Sequence, residues 1–242
     1  MEKLVLLLLV LVSGLGSSAQ YPFEKFKAIR YSTFADWKTE VGKDSLPVKR
    51  MIEIPSFTNG TTLKIEQILK ISLPDSLDYA EMNLYSNGDL VKTFEVGTRS
   101  ISDPLPVYVS DIDDNGRKDI KILFPNYGCG AFNYYCQTVF LFQKTDGSFD
   151  DFTFSDICEE FENRPERDFD NDGKFEIITQ TFQNYGKHNY WLFNVYGYSE
   201  GKLVNLNRLA DYPIMIPLLS HEVSKKIPKK KMKEFAIATP LK

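Results

Sequence analysis

The sequence predicts a mainly β protein, propeller-like or an irregular β-sandwich, built from repeated loop–strand–hairpin units with a small, less regular N-terminal part. Three observations predict this class. From Thr62 onward, short segments rich in Val, Ile, Tyr and Phe are separated by turn residues, and 14% of the chain is aromatic. Long apolar stripes with helical spacing are scarce. One acidic loop pattern occurs twice, each time before a strand-like segment.

Residues 1–19 have the pattern of a secretory signal peptide. Glu2 and Lys3 precede the apolar run Leu4–Val12, and small residues lead to Ala19, after which cleavage is expected. An uncleaved membrane anchor needs roughly 20 apolar residues, and glycines and serines interrupt this run. We therefore expect an exported protein, periplasmic or secreted, with no membrane span once the signal is removed.

The N-terminal segment, residues 20–60, is expected to contain one short helix. The stretch Ser32–Asp36 resembles a capping box, in which a Ser or Thr side chain satisfies the first free N–H groups of a helix. The helix would end near Gly42.

Residues 61–220 are expected to form the β domain, with hairpins at three places. Their turns are Asn87-Gly88, Asp146-Gly147 and Glu200-Gly201, each between β-prone segments. Asn-Gly and Asp-Gly in such a setting are the strongest short-range hairpin signals.

An internal repeat organises most of this domain, with copies at about residues 107–150 and 164–205. Each copy has an acidic loop, a strand, an Asn-Tyr-Gly turn, an Asn-Tyr pair and a hairpin, at an offset of 54 to 58 residues. The segment from Tyr79 to Val96 is either a third copy that has lost its loop or an unrelated hairpin.

The two acidic loops have the residue spacing of calcium sites. Calcium takes six to eight oxygen ligands, which a short loop supplies if carboxylates alternate with outward residues around a glycine turn. Position 7 would contribute a backbone carbonyl. In loop 1, positions 1, 3, 5, 7 and 9 are Asp111, Asp113, Asn115, Arg117 and Asp119, with Gly116 at the turn. In loop 2 they are Asp168, Asp170, Asp172, Lys174 and Glu176, with Gly173 at the turn. Up to two Ca²⁺ ions are predicted.

The residues after position 9 exclude an EF-hand. That motif needs a Glu at position 12 and flanking helices, whereas position 12 here is Ile122 or Thr179 and both loops run into strand-like sequence. The loops resemble those of the FG-GAP or VCBS repeats of integrin α-subunit propellers and secreted bacterial proteins, although the Phe-Gly and Gly-Ala-Pro signatures are absent. The overall format also resembles bacterial periplasmic lysozyme inhibitors and immunity proteins. These resemblances imply a calcium-binding, non-catalytic β domain.

Three cysteines, Cys129, Cys136 and Cys158, are present in a chain expected to meet oxidising conditions. Cys129 and Cys136 bracket a short loop and are the predicted disulfide. Cys158 would then be a free thiol, unless it pairs with one of the other two.

The C-terminal tail, residues 221–242, is rich in lysine. It either contacts an anionic surface or partner or is a solvated terminal segment. The whole chain has a net charge of −4, which gives no electrostatic reason to propose a nucleic-acid partner.

No catalytic motif stands out, so an enzyme is not expected. The preferred hypothesis is a module that presents aromatic turns to an extracytoplasmic protein or glycan, one form being inhibition of a cell-wall lytic enzyme. Alternatives are an envelope polysaccharide or peptidoglycan hydrolase or its accessory subunit, with Glu159, Glu160 and Glu162 as weak candidates, and a structural or adhesive surface protein. The oligomeric state is left open. The aromatic residues of the turns in the preferred hypothesis are Tyr127, Phe132, Tyr134, Tyr135, Tyr185, Tyr190 and Trp191.

Overall fold

A computed structural model describes residues 21–41, 48–58, 60–70, 79–97, 105–126, 135–158 and 162–241. These residues form a mainly β structure, which confirms the mainly β part of the prediction. The N-terminal strands are β1 (Lys27–Ala28), β2 (Ser32–Phe34), β3 (Lys38–Val41), β4 (Val48–Thr58), β5 (Thr61–Lys70), β6 (Tyr79–Ser86) and β7 (Asp89–Gly97). The remaining strands are β8 (Val107–Ser110), β9 (Asp119–Asn126), β10 (Tyr135–Gln143), β11 (Phe149–Ile157), β12 (Arg167–Asp168), β13 (Ile177–Tyr185), β14 (His188–Ser199), β15 (Lys202–Asn205) and β16 (Ile214–Pro217).

The strands form three main antiparallel sheets. The first sheet has the order β3-β4-β5-β6-β7, and the second has the order β11-β10-β9-β8-β2. The third contains β13-β14-β15, and β16 pairs with the part of β14 that β15 does not cover. Strands β1 and β12 form a separate pair. The first predicted repeat therefore supplies β8, β9, β10 and the start of β11 in the second sheet. The second supplies β12 and, in the third sheet, β13–β15.

The three predicted hairpins are present as β6–β7, β10–β11 and β14–β15. Asn87 and Gly88 both have positive φ, at 52° and 90°, which is what a two-residue turn between twisted strands requires. Glu200 and Gly201 repeat this, with φ of 50° and 74°. Local turn chemistry thus fixes which strands pair.

The second sheet is buried on both faces, because its central strand β10 alternates between two cores. Val139 and Leu141 pack with Ile52, Ile65 and other residues of the first sheet. Phe140 and Phe142 pack on the opposite side, with Phe154, Ile177 and Tyr196. The second sheet therefore lies between the first and the third, and the loops that precede β9 and β13 come together at the junction of the second and third sheets.

The predicted helix near Ser32 is wrong. Residues Ser32–Phe34 form β2, which pairs with β8, and Lys38–Val41 form β3. Phe34 and Trp37 pack against the first core, and the Trp37 indole N–H donates to the Leu105 carbonyl at 3.2 Å. Tertiary packing of these β-prone residues overrides the local capping pattern. Gly42, the predicted helix end, lies outside the described residues.

Strand β4 belongs to the same sheet as β5, so the boundary that the sequence placed between residues 60 and 61 falls inside a hairpin. The N-terminal segment is therefore not a separate unit. Its first part also reaches the repeats, because Arg167 donates through its guanidinium to the Phe26 carbonyl at 3.0 Å.

The C-terminal tail is anchored along the protein. It contains one helical turn, α1 (Lys229–Met232), followed by a 3₁₀ turn at Lys233–Phe235. Ile227 and Met232 are 3% and 2% exposed and pack beside β14 and β16. Further along, the Ile237 carbonyl accepts hydrogen bonds from Tyr196 and Asn205. A solvated terminal segment is thus the wrong description of the backbone, although the lysine side chains point outward. Within the described residues, no helix is long and apolar enough to cross a membrane.

The disulfide joins Cys136 to Cys158, whose Cα atoms lie 6.1 Å apart. The predicted Cys129–Cys136 pairing is therefore wrong, and the alternative in which Cys158 pairs with one of the others is confirmed. The reason is strand pairing: Cys136 lies opposite Asp156 in the β10–β11 ladder, which brings the residue after β11 within bonding range. Cys129 lies outside the described residues.

We expect the double substitution Cys136→Ser and Cys158→Ser to lower the free energy of unfolding by about 3 kcal/mol, because the bond closes a loop between residues 22 positions apart. Denaturant titration would measure the loss. Cys129→Ser serves as the matched control and should leave stability unchanged. Equal destabilisation by both variants would contradict the observed pairing.

Candidate metal centre

Loop 1 brings three carboxylates together ahead of β9. One oxygen each from Asp111, Asp113 and Asp119 lies within 4.8 Å of the others. Asp111 accepts hydrogen bonds from the backbone N–H groups of Asn115 at 3.0 Å and Gly116 at 2.8 Å. These bonds turn the loop back on itself and hold the carboxylates on its inner side.

Loop 2 forms the equivalent group from Asp168, Asp170 and Asp172, again within 4.8 Å of one another. Asp168 is 2% exposed, whereas Asp170 and Asp172 lie at the surface. One side of this group is therefore closed by the protein and the other is open to solvent.

The two loops share their backbone conformation as well as their sequence. At position 4, Asp114 and Asn171 have φ of 55° and 62°, and at position 6, Gly116 and Gly173 have φ of 78° and 96°. At position 7, the N–H donates to the position-5 side chain, from Arg117 to Asn115 at 2.8 Å and from Lys174 to Asp172 at 2.9 Å. The carbonyls of Arg117 and Lys174 stay predicted ligands.

The position-9 carboxylates tie each loop to its strand. Asp119 is fully buried and accepts from the N–H groups of Ile112 at 2.8 Å and Gln143 at 2.9 Å. In loop 2, Glu176 is 4% exposed and accepts from the Phe169 N–H at 2.9 Å. Position 9 therefore bonds to position 2 in both loops. Gln143, at the end of β10, is a contact that sequence did not predict.

Two buried carboxylate oxygens face these groups without a hydrogen-bond partner among the described residues: Oδ1 of Asp113 and Oδ1 of Asp168. Lys27 lies 3.9 Å from the other oxygen of Asp168, but its side chain is 65% exposed. A buried carboxylate oxygen without a donor is costly. A bound cation at either group would satisfy it, so the residues fit a hard metal ion.

Burial makes the charged state of these loops unfavourable without a cation. It raises the pKa of Asp119 to about 7 and that of Glu176 to about 7, against the lowering effect of their backbone hydrogen bonds. Burial, together with the neighbouring Asp111 carboxylate, also raises the pKa of Asp113. Nearby positive charge would reverse this effect, because it favours the ionised form.

The two loops touch each other. The Phe175 N–H donates to the Ile112 carbonyl at 2.9 Å, which links position 8 of loop 2 to position 2 of loop 1. A Cβ at Gly173 would lie 3.0 Å from Oδ2 of Asp114, so the loop 2 turn packs against the loop 1 corner. Asp113, Asp170 and Glu176 line a common cavity of about 300 Å³.

Of the four predicted aromatic residues that the structure describes, three pack against other side chains and one is exposed. Tyr190 and Trp191 are 4% and 6% exposed and belong to the cores of the third sheet, while Tyr185 packs against Phe235. Tyr135 is exposed. Tyr127, Phe132 and Tyr134 lie outside the described residues, as do Glu159 and Glu160, so those hypotheses rest on sequence.

A buried ion pair near the loops was missed by sequence. Lys121 on β9 and Glu166 are 4% and 2% exposed, with Nζ 2.6 Å from Oε1. The Tyr31 hydroxyl donates to the other oxygen of Glu166, and Lys121 also donates to the Arg164 carbonyl at 2.7 Å. Burial lowers the pKa of Lys121, although Glu166 opposes it. A lysine at an alternating strand position looks solvent-facing in sequence, so no signal pointed to it.

Comparisons of the chain with protein-family models, curated proteins and solved structures found no match. The resemblance to FG-GAP or VCBS repeats therefore depends on the loops and on the strands after them.

Stabilisation by a divalent cation is expected to increase with pH. In the metal-free protein, the folded-state pKa values of Asp119 and Glu176, about 7, lie above their ordinary values of 3.8 and 4.5. The stability that these groups contribute is thus present below about pH 4 and lost as pH rises toward 7. A cation binds the ionised forms and offsets that loss. We expect the increase in Tm caused by Ca²⁺ over EDTA to be larger at about pH 8 than at about pH 5. An increase independent of pH would contradict this.

The two turn glycines should differ in their response to alanine. Both have positive φ, so each substitution introduces backbone strain of about 1 kcal/mol. Gly116 has open space around it, whereas a Cβ at Gly173 would push against Asp114. We therefore expect Gly173→Ala to lower Tm more than Gly116→Ala in thermal unfolding. Equal losses would show that the exposed Asp114 side chain moves aside without cost.

Proposed function

We propose that this chain is an exported, non-catalytic binding domain whose loops take up two Ca²⁺ ions, one in each repeat. The observation that carries the proposal is the matched pair of loops, each with a buried aspartate oxygen that lacks a donor. Export is supported by the N-terminal sequence pattern, and the disulfide is consistent with an oxidising compartment.

Calcium fits these loops better than magnesium or zinc. Every predicted ligand is an oxygen, which hard cations prefer, and neither group contains a His or Cys that zinc would favour. The loops offer carboxylates, an amide and carbonyls at short spacing, which suits the larger and more flexible calcium shell. Magnesium keeps several waters and needs near-octahedral geometry. Affinity on the order of 10⁻⁴–10⁻³ M is expected, as in other extracellular modules.

We also propose kinship with the FG-GAP or VCBS repeat proteins, including their propeller-like arrangement of units. It is supported by the loop spacing, by the matched left-handed corners at positions 4 and 6, and by the strand after each loop. The partner in this proposal is an extracytoplasmic protein or glycan. The open side of loop 2, with Asp170 and Asp172 at the surface, supports a contact that includes the ion.

Calorimetric titration of the protein with CaCl₂ is expected to show two bound ions. Asp113→Asn and Asp168→Asn each replace a carboxylate that has a buried oxygen by a neutral amide. Each should therefore remove one bound ion or lower its affinity at least tenfold. Asp114→Asn is the matched control, because Asp114 is exposed and does not belong to the group formed by Asp111, Asp113 and Asp119. No binding heat with millimolar Ca²⁺, together with a Tm unchanged by EDTA, would refute the proposal.

The binding role has its own test. Immobilised protein is used to capture partners from an envelope extract with and without chelator, alongside the Asp168→Asn variant. A partner retained only with calcium and only by the unsubstituted protein supports the proposal. Turnover of peptidoglycan or polysaccharide by the purified protein would replace it with an enzymatic function.

A further inference from the structure

The turn after β16 exposes a leucine in a way that the fold does not require. The Ser220 N–H donates to the Pro217 carbonyl at 2.9 Å, which closes a β-turn with Leu218 and Leu219 at its two corners. Such corners usually carry Gly, Asn, Asp or Ser. Leu218 packs against the core of the third sheet, whereas Leu219 is fully exposed, at 103%.

Hydrogen bonds and burial anchor the segment that follows this turn. Glu222 donates its N–H to the Ser220 hydroxyl at 3.1 Å, and the Ser224 N–H donates to the Met215 carbonyl on β16 at 2.8 Å. Ile227, 3% exposed, then anchors the next part of the chain. Leu219 therefore lies between Leu218 and the anchored segment that follows the turn.

Three lysines lie beside one side of the turn. Lys187, from the β13–β14 turn, and Lys225 and Lys226, from the start of the tail, line one cavity of about 540 Å³ together with Leu218 and Ser220. We call these three lysines the lysine rim. The one carboxylate in that lining is Glu222, which lies 3.7 Å from Lys225 with both side chains over 80% exposed. So exposed a pair is weak, and the rim keeps a net positive charge.

In the rest of the tail, acidic side chains pair with several of the lysines. Lys229 and Lys233 pair with Asp211, and Lys231 pairs with Glu234. Residues 221–242 contain seven lysines and two glutamates in a chain whose total charge is −4. Positive charge is thus concentrated in one segment, and of the lysine rim only Lys225 has an ion-pair partner among the described residues.

We propose that Leu219 and the lysine rim form a contact surface for an anionic lipid bilayer. An apolar side chain at an exposed corner can enter the boundary between headgroups and acyl chains without a preformed pocket, and nearby lysines bind the anionic headgroups. A soluble polyanion would use the lysines but gain nothing from Leu219. Peripheral membrane binding requires such a combination of two weak signals. The proposal does not depend on calcium binding.

Vesicle sedimentation tests the surface. The protein is used as its host releases it, with its N-terminus determined by mass spectrometry, because a retained Leu4–Val12 segment would bind vesicles itself. Vesicles of equal parts phosphatidylglycerol and phosphatidylcholine are compared with phosphatidylcholine alone. Each is measured in EDTA and in millimolar Ca²⁺, because the ion bridges anionic surfaces. We expect binding to the anionic vesicles that is at least tenfold stronger than to the neutral ones.

Variants separate the two components. Each lysine near an anionic surface strengthens binding roughly fivefold, so Lys225→Glu with Lys226→Glu should weaken it about 25-fold or more. Leu219→Ser should weaken it about fivefold. Leu90→Ser, at another exposed leucine, and Lys38→Glu with Lys202→Glu, at exposed lysines elsewhere, are the matched controls and should bind as the unsubstituted protein does. Tm confirms that every variant is folded.

Three outcomes would overturn the proposal. The first is no preference for anionic vesicles. The second is equal weakening by the control lysine variant, which would indicate a general charge effect. The third is unchanged vesicle binding by Leu219→Ser together with full competition by soluble heparin, which would identify a polyanion site instead.

Discussion

The arrangement of this protein depends on negative charge that the fold concentrates and does not neutralise by itself. Asp113, Asp119 and Glu176 are held at the junction of the second and third sheets, where burial raises the pKa of each carboxyl group and so opposes its ionisation. The backbone N–H groups of Ile112 and Phe169 offset part of this cost. A bound cation would offset the rest. A cation that relieved the repulsion between these carboxylates would also tie each loop to the strand that follows it.

The loops also connect the repeats to each other. Phe175 bonds to Ile112, and Gly173 leaves room for Asp114, so the two loops are in direct contact. Lys121 and Glu166 add a second polar link in the same region, between β9 and the segment before β12. A buried pair of this kind is weak evidence for stability, since desolvation opposes the attraction. Its hydrogen bonds to Tyr31 and Arg164 instead fix the relative position of the elements that carry them.

Sequence predicted the features whose causes are local. The turns at Asn87-Gly88 and Glu200-Gly201 need positive φ, which these residues tolerate, so the hairpins could be located correctly. The acidic groups also result from spacing, because alternate residues of a tight loop share one side. The predicted helix at Ser32 failed because Phe34 and Trp37 are held by residues more than 60 positions away, such as Leu105. The disulfide failed for the same reason: closeness in sequence favoured Cys129, whereas the β10–β11 ladder selects Cys158.

The burial of β10 on both faces means that the repeats are not structurally independent units. Phe140 and Phe142 are covered by the third sheet, and Val139 and Leu141 by the first, so each sheet completes its neighbour. Removing the second repeat would leave an aromatic surface in water, and adding a further copy would require a new partner for an already occupied face. A gene encoding this architecture could therefore not lengthen or shorten it one unit at a time, as solenoid genes do. Its descendants are confined to changes in loops and edges.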